Sequence, residues 1–353
     1  MTAQSLPVLD LKDFIEGQAD SQSKQRSTKQ PSKRSEAFVE ALGAALSELG
    51  FFALVNHGVE QRMIDAAYGA AEAFFALPEA VKLQYEVANL KGQRGFTQFG
   101  KEHAKGSPAP DLKEFWHLGR SHPVSYPDNI WPREVPQFQP VMATLFQQLE
   151  TCAHHLMQAC AQYLQQPQNF FTEQVAEGQT ILRVIHYPPI LENQVLDNQA
   201  PASLRAAPHE DINLITLLCE ATTPGLELLK PDGEWLPIHT DPGVIIVDTG
   251  DMLQSLSNGL LRSTTHRVIN QSVNQTINQS VTQQPIPQTP IPQKIEQARS
   301  SRRFSMPFFV HPRPEFDLTP LPSCVARTSG NPQFPAQTAA QYLDQRLKEI
   351  GLA

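Results

Sequence analysis

The spacing of apolar positions divides the chain into a mostly helical first part and a mostly stranded second part. Apolar side chains recur at helical spacing over residues 138–165, which predicts one long amphipathic helix. The same period predicts shorter helices over about residues 38–49 and 60–76, with a polar loop at 18–35 before them. After residue 179, short apolar runs alternate with turn residues, a pattern typical of many strands packed as a sandwich or a barrel.

These elements predict an α+β protein with a mainly β core. We expect a helical or mixed region over residues 1–178 packed on the core, the core itself over residues 179–315, and a C-terminal segment, residues 316–353, with a helix. A long helix, assigned to the C-terminal half, is also expected to pack on the core. Residues 270–299 interrupt the core with a repetitive sequence rich in Gln, Asn and Pro and nearly free of charge, which predicts a disordered insertion.

Composition narrows the class of protein. Lys and Arg number 28 against 36 Asp and Glu, so the net charge is −8, which argues against nucleic acid or an anionic membrane as the main partner. The 4 cysteines form no C-x-x-C pair, and buried reduced thiols are the simpler interpretation. With no signal-peptide pattern and no apolar run of membrane-helix length, we expect a cytoplasmic protein.

Two His-x-Asp pairs are candidates for a metal site: His209 with Asp211, and His239 with Asp241. Side chains two apart on a strand project from the same face, so such a pair can present two ligands together. Asp241 precedes a Pro-Gly turn sequence, which favours a structural role for the second pair. The first pair opens an apolar strand, and we therefore assign it as the metal pair.

His266 is the candidate for a third ligand. It lies in a strand-forming stretch, far enough beyond Asp211 for several strands to intervene and bring the chain back beside the pair. Two histidines and one carboxylate on one face of a metal leave the opposite positions open, which suits Fe(II) oxygenases, but zinc accepts the same ligands. The residues alone therefore leave the identity of the metal open.

Arg303 and Ser305 are candidates for binding a carboxylate near the metal. They stand two apart in an apolar strand, so they share a face, and a guanidinium beside a hydroxyl makes a bidentate anchor. A surface Arg on an edge strand is the alternative. Tyr187 is a candidate third donor to the same acid. Residues 93–106 are candidates for the pocket wall or for a solvated loop, through Arg94, Lys101, His103 and Lys105.

Taken together, these motifs resemble the isopenicillin N synthase-like family of 2-oxoglutarate/Fe(II) dioxygenases. The resemblance covers nearly the whole chain, in order, through the segments LPVLDL, GFFALVNHGV, RGFTQFGKE, DLKEFWHLGR, PHEDINLITLL, PGLELL, VIIVDTGDMLQSLSNG, RSTTHRV and RRFSMPFF. It implies a double-stranded β-helix (jelly roll) and oxidation, usually hydroxylation, of a small organic substrate, with O₂ consumed and succinate and CO₂ released. It also implies that His209, Asp211 and His266 bind Fe(II).

The same resemblance implies that Arg303 and Ser305, assisted by Tyr187, bind the distal carboxylate of 2-oxoglutarate. Two departures from the family pattern bear on this co-substrate. Ile185 stands where many relatives have an Asn, and the separation of Arg303 from His266 is longer than usual. The predicted insertion accounts for that separation if it loops out between paired strands, since loop closure costs only about 0.6 kcal/mol per doubling of length.

Three alternatives stay open on the sequence. An oxidase like isopenicillin N synthase would use the same iron ligands without 2-oxoglutarate, and a substrate carboxylate would take the Arg303 anchor. A non-catalytic jelly-roll binding protein and a zinc hydrolase are the other two. The substrate, the choice between hydroxylation and desaturation or ring closure, and the oligomeric state have no marker in the sequence.

Overall fold

The structure of the chain is a computed structural model. It describes residues 6–23, 32–90, 92–103, 110–120, 127–189, 204–239, 241–270 and 302–350. The insertion expected over residues 270–299 lies, apart from Asn270, outside the described residues.

Most of the helices precede the strands of the core. The α-helices of the described residues are α1 (Leu11–Ser23), α2 (Lys33–Glu48), α3 (Gln61–Phe75), α4 (Glu79–Lys82), α5 (Phe138–Tyr163), α6 (Phe170–Ala176), α7 (Asp251–Leu256), α8 (Pro322–Arg327) and α9 (Ala339–Glu349). The loop expected at 18–35 is wrong at both ends, since α1 continues to Ser23 and α2 begins at Lys33 after the capping Ser32; residues 24–31 lie outside the described residues. None of these helices combines the length and the apolar character that a membrane crossing needs.

The strands form two sheets that face one another. They are β1 (Val8–Asp10), β2 (Phe51–Val55), β3 (Gly95–Thr97), β4 (Glu114–Gly119), β5 (Ile181–Tyr187), β6 (Leu204–His209), β7 (Ile215–Cys219), β8 (Leu226–Leu229), β9 (Trp235–Pro237), β10 (Ile245–Thr249), β11 (His266–Ile269) and β12 (Arg303–Val310). The larger sheet has the order β1-β2-β10-β7-β12-β5-β4-β3, and the smaller has the order β6-β11-β8-β9. The fold is the expected double-stranded β-helix with helices packed on it.

The helices cover the outer face of the large sheet. The 26-residue α5 buries the positions that the sequence pattern selected, among them Leu145, Leu149, Cys152 and Leu156, and these join one continuous core with α2, α3 and the large sheet. The assignment of a long helix to the C-terminal half is wrong. The helix of that length is α5, in the first half of the chain, and the longest described helix after it is α9, with 11 residues.

Helix α2 approaches α5 closely because Gly43 lacks a side chain. A Cβ atom built on Gly43 would lie 1.9 Å from the Tyr163 ring of α5, far inside contact distance. A Cβ atom on Gly69 of α3 would meet nothing within 4 Å. The two glycines therefore occupy helices of similar kind but differ in what a methyl group would meet.

We predict that Gly43→Ala destabilises the protein by about 1–3 kcal/mol, since overpacking at the contact outweighs the better helix propensity of Ala. Gly69→Ala, the matched control, is expected to stabilise it by about 0.5–1 kcal/mol. Urea unfolding of both variants measures the two changes. Equal effects of the two substitutions would contradict the close packing of α2 on α5.

Candidate active site

A cavity lies between the two sheets, and alternate residues of the strands line it. On β5 these are Ile181, Arg183, Ile185 and Tyr187, and on β12 they are Arg303, Ser305, Pro307 and Phe309. The period of two follows from strand geometry, in which every second side chain points to the same face. The C-terminal helix α9 closes part of the cavity with Leu343, Arg346 and Leu347.

His209 and His266 meet because β6 and β11 are paired. In the antiparallel register of these strands His266 stands directly opposite His209, and their ring centroids are 4.4 Å apart. Nδ1 of His209 donates to the carbonyl of Ala207 at 2.7 Å, and Nδ1 of His266 donates to the carbonyl of Thr264 at 3.1 Å. Because a carbonyl only accepts, each Nδ1 carries a proton, and Nε2 is the nitrogen left to bind another partner.

Asp211 completes the group. One of its carboxylate oxygens accepts a hydrogen bond from the Thr216 hydroxyl, and the other lies 3.7 Å from Nε2 of His266. Ligand atoms of His209, Asp211 and His266 all lie within 4.8 Å of one another, the one such set of three found in the described part of the chain. Asp248 of β10 stands opposite Thr216, and burial together with the adjacent Asp211 raises its pKa well above the usual value.

The donors of this group fit a divalent transition metal. Burial and the neighbouring His266 lower the pKa of His209 to about 4, so its imidazole is neutral at physiological pH, the form that binds metal. The carbonyls of Ala207 and Thr264 orient the two rings, as is usual for ligating histidines. Two imidazoles and one carboxylate on one side are the ligand set of non-haem Fe(II) oxygenases.

Arg303 and Ser305 share the cavity face that the strand pattern predicted, and Tyr187 of β5 stands opposite Arg303. The Arg303 side chain is buried, and its Nε donates to the carbonyl of Thr223 at 3.0 Å. Its Nη1 is buried without a hydrogen-bond partner among the described residues. A buried guanidinium with an unsatisfied donor fits a carboxylate ligand. Ile185, opposite Ser305, presents no polar atom there.

The second His-x-Asp pair lies elsewhere. His239 and Asp241 are both exposed, and neither joins the group of ligand atoms. The structural interpretation of this turn agrees with its position after β9.

The segment proposed as a pocket wall contributes only in part. His103 lines the cavity, whereas Arg94 is buried and donates to the carbonyl of its neighbour Gln93 at 2.7 Å. Lys101 pairs with Glu86, and Lys105 lies outside the described residues.

The cavity also contains a buried ionic cluster that no sequence motif predicts. Lys113 lies between Glu102 and Asp111, with Nζ 2.7 Å and 2.8 Å from their carboxylates. Nη1 of Arg183 is 3.0 Å from the same Glu102 oxygen, and Nε of Arg183 donates to Nε2 of His117 at 2.5 Å. Burial alone would raise the pKa of Glu102, but the adjacent Arg183 and Lys113 outweigh it and hold that pKa far below its usual range.

The cluster is connected to the histidine pair through the backbone. Asp111 accepts a hydrogen bond from the amide of Ala207 at 3.1 Å, and the carbonyl of Ala207 is the acceptor for Nδ1 of His209. The amide of Leu112 also donates to the carbonyl of Arg205 in β6. The segment before β4 therefore fixes the edge strand that presents His209.

Known proteins share both the sequence and this fold. Residues 6–136 match the family "non-haem dioxygenase in morphine synthesis N-terminal", and residues 178–312 match the 2OG-Fe(II) oxygenase superfamily. A structure assigned to the 2OG-Fe(II) oxygenase family, from Caulobacter crescentus, is 38% identical with a TM-score of 0.70, covering 89% of this chain and 94% of that one.

Curated relatives agree with this match. The proline hydroxylase buaE of Petromyces alliaceus is 28% identical over 326 residues, which span 89% of this chain and 93% of that protein. A 2-oxoglutarate-Fe(II) type oxidoreductase of Aspergillus fumigatus is 30% identical over 237 residues, 63% of this chain and 69% of that protein. The chain belongs to the 2OG-Fe(II) oxygenase superfamily.

Membership in this family defines the class of reaction. The protein is a 2-oxoglutarate- and Fe(II)-dependent dioxygenase, which uses O₂ and releases succinate and CO₂. The family prediction made from the sequence motifs is confirmed. The oxidase without 2-oxoglutarate, the binding protein and the zinc hydrolase do not match these relatives.

We predict that Glu102→Gln lowers the free energy of unfolding by about 3–5 kcal/mol at pH 7, because it leaves buried cations with less compensating charge. The depressed pKa means that Glu102 stabilises the fold above its unfolded-state pKa of about 4.3, and that this contribution is lost as the pH falls below that value. The difference between wild type and variant should therefore shrink in acid.

Urea unfolding from pH 7 down to pH 3 measures this difference. The control is Glu16→Gln, which removes a surface carboxylate paired with Lys12 and Arg34 and should cost no more than about 1 kcal/mol. A difference for Glu102→Gln that is small at pH 7, or independent of pH, would show that the cluster is not an ionised network.

Proposed function

We propose that this enzyme hydroxylates a small organic substrate in the cavity between its two sheets. In this proposal His209, Asp211 and His266 bind the Fe(II), and Arg303 and Ser305, assisted by Tyr187, bind the distal carboxylate of 2-oxoglutarate. One observation carries the proposal: the three ligand side chains converge within 4.8 Å, in the same cavity as a buried guanidinium that lacks a partner among the described residues.

The two histidines offer Nε2 to the metal, and Asp211 offers a carboxylate oxygen close to them. The Thr216 hydroxyl donates to Asp211, which fixes the carboxylate and leaves its other oxygen toward His266. Bound Fe(II) supplies the redox chemistry by which O₂ and 2-oxoglutarate become succinate and CO₂ while the substrate is oxidised. The protein contributes preset ligand positions, so little reorganisation is needed when the metal binds.

Arg303 orients the co-substrate from the adjacent strand. Its Nε is held by the carbonyl of Thr223, which fixes the guanidinium plane, and its Nη1, unpaired within the described chain, supplies the donor for the distal carboxylate. The Ser305 hydroxyl lies on the same strand face and adds a second donor. Because Arg303 is buried, the ion pair forms away from water, where it is stronger.

The substrate is a small molecule in this proposal, and the relatives support that size. Relatives of the chain carry names such as proline hydroxylase and flavanone 3-dioxygenase, and a structure of similar fold from Neurospora crassa contains thymine. The net charge of −8 supports the absence of nucleic acid or membrane as a partner. The four cysteines are free and buried, which supports a cytoplasmic, reducing location.

We also propose the division of the chain that the sequence suggested. Residues 1–178 form a helical or mixed region packed on the core, residues 179–315 carry the double-stranded β-helix, and residues 316–353 form a segment whose helix closes the cavity. The contacts of α5 with the large sheet and of Leu343 and Leu347 with the cavity support it.

A substrate screen tests the proposed function directly. Purified enzyme with Fe(II), ascorbate, O₂ and 2-oxoglutarate is incubated with small-molecule candidates, and succinate is measured with and without each one. The proposal expects succinate to rise in step with a product heavier by one oxygen atom. Succinate formation that never couples to any oxygenated product would contradict hydroxylation.

We predict that His209→Ala abolishes succinate formation and weakens Fe(II) binding by about 100-fold or more, because two ligands cannot hold the metal in an open site. His239→Ala is the matched control and is expected to bind Fe(II) as wild type does, since His239 is exposed and outside the group. Anaerobic Fe(II) titration with 2-oxoglutarate, followed by the metal-to-ligand absorption band, measures both. Equal iron loss in the two variants would refute the choice of pair.

We predict that Arg303→Met raises the KM for 2-oxoglutarate roughly 30- to 700-fold, equivalent to about 2–4 kcal/mol, and leaves Fe(II) affinity unchanged. Arg302→Met is the adjacent control, because Arg302 pairs with Glu72 and is 40% exposed. Initial rates of succinate release against 2-oxoglutarate concentration measure the change. A KM that is the same in both variants would assign Arg303 a structural role only.

A further inference from the structure

Arg183 lies on the cavity face of β5, on the side away from the proposed co-substrate anchor. It shares that face with Ile185 and Tyr187, and Tyr187 stands opposite Arg303. Arg183 and Tyr187 are four positions apart along the strand, roughly 13 Å at the usual rise. The two arginines therefore project from well-separated backbone positions of the cavity face.

Neighbouring strands hold the Arg183 guanidinium in one orientation. Its Nε donates to Nε2 of His117, directly opposite on β4, at 2.5 Å, and its Nη1 lies 3.0 Å from Glu102. Its Cζ atom is 4.3 Å from the centroid of the Phe115 ring and 5.3 Å from that of Phe309. Such stacking between aromatic rings restricts the plane of an arginine.

His117 acts as an acceptor for Arg183 in this arrangement. Burial, followed by the charge of Arg183, lowers the pKa of His117 well below its usual value, so the ring is neutral. Its Nδ1 donates to the carbonyl of Gly92 at 2.6 Å, which leaves Nε2 as the acceptor that Arg183 uses. Two of the three guanidinium nitrogens are thereby occupied.

The third nitrogen, Nη2 of Arg183, makes no hydrogen bond to the described residues. Glu102, the acid beside it, is shared with Lys113, which also pairs with Asp111. The four charges of this cluster balance before any ligand is counted, so the cluster itself holds no additional acid to take the remaining donor. A cavity-lining donor without a partner among the described residues is available to a ligand with an acceptor.

Arg183 lines the same cavity as His311 and the three metal-ligand candidates. Several apolar side chains line the same cavity, namely Ile181, Phe309, Leu343, Leu347 and Ile350. In this region Arg183 offers an oriented donor beside apolar side chains, and the polar residues Gln93, His103 and Arg346 line the same cavity.

We propose that Arg183 is the substrate-binding residue of this enzyme, and that Nη2 donates to a carbonyl or carboxylate oxygen of a compact, largely apolar substrate. The inference rests on the proposed function and adds to it the chemical class of the substrate. Apolar side chains of β12 and α9 pack on the remainder of the substrate, while the substrate oxygen bound to Arg183 sets the orientation of the substrate in the cavity that holds the metal ligands.

The test uses the full-length enzyme with Fe(II) and 2-oxoglutarate, without oxygen, and three probes. Benzoate carries a carboxylate, benzamide carries a neutral carbonyl, and toluene carries neither. Paramagnetic relaxation of the probe protons by Fe(II) reports binding beside the metal and gives a dissociation constant for each probe. The variants are Arg183→Met and Arg183→Lys, because the second keeps the charge beside Glu102 if the first does not fold.

The matched control is Arg267→Met. Arg267 of β11 also pairs with a glutamate, Glu227, and stacks on an aromatic ring, with its Cζ 3.9 Å from the Trp235 centroid, but it does not line the cavity. Its loss removes a comparable set of contacts without touching the proposed substrate site.

We expect benzoate or benzamide to bind wild type about tenfold or more tightly than toluene, since each can accept a hydrogen bond from Nη2 of Arg183 and toluene cannot. The better of the two identifies a carboxylate or a carbonyl. That preference should disappear in both Arg183 variants and persist in Arg267→Met, while 2-oxoglutarate binding is unchanged in all. The inference is overturned if wild type binds the three probes equally or binds none of them. It is also overturned if the Arg183 variants keep the preference of wild type.

The absorption band of Fe(II) with 2-oxoglutarate separates this inference from the proposed function. If the band does not form in wild type, the proposed function fails and the inference fails with it. If the band forms in every variant and the probe preference does not depend on Arg183, the inference alone is wrong.

Discussion

The pairing of β6 with β11 is the constraint on which the site depends. It brings His266 opposite His209, although the two residues are far apart in sequence. A slip of one residue in this register would turn one imidazole away from the cavity, since successive side chains of a strand point to opposite faces. The ligand set is thus a consequence of strand register rather than of local sequence.

Other parts of the fold act on that register. β6 is the edge strand of the small sheet, and the segment before β4 supplies it with backbone partners through Leu112 and with the Asp111 carboxylate. The charges of Lys113 and Glu102 hold this segment in place. On the opposite side, the helical layer of α2, α3 and α5 packs on the large sheet and supports β5 and β12, which carry Arg183 and Arg303.

Alternation within strands explains how much of the site the sequence could predict. Arg303 and Ser305 are two apart in a clear strand, and the structure places both in the cavity, as it does the three metal-ligand candidates. Strand alternation also places Arg183 on the same face as Tyr187, but nothing in the local sequence marks Arg183 as a binding residue. Its role depends on Glu102, from a stretch without a clear period, and on pairing with β4. Such contacts between distant segments are set by tertiary structure and have no local signal.

The helices show the same limit. The apolar period located α5 to within two residues of its ends. The polar composition of residues 18–35 predicts a loop, but α1 and α2 extend into this segment, because capping by Ser32 and packing outweigh composition. The jelly-roll topology follows from the family motifs, because the periodicity alone is compatible with either a sandwich or a barrel.

The central claim is that His209, Asp211 and His266 bind iron beside the Arg303 guanidinium. Anomalous X-ray diffraction from crystals grown without oxygen, with Fe(II) and 2-oxoglutarate, tests it most directly. The account predicts one strong iron peak at bonding distance from Nε2 of both histidines and from an Asp211 oxygen, with 2-oxoglutarate density reaching from that peak to Arg303. An iron peak at His239, or co-substrate density that does not contact Arg303, would contradict it.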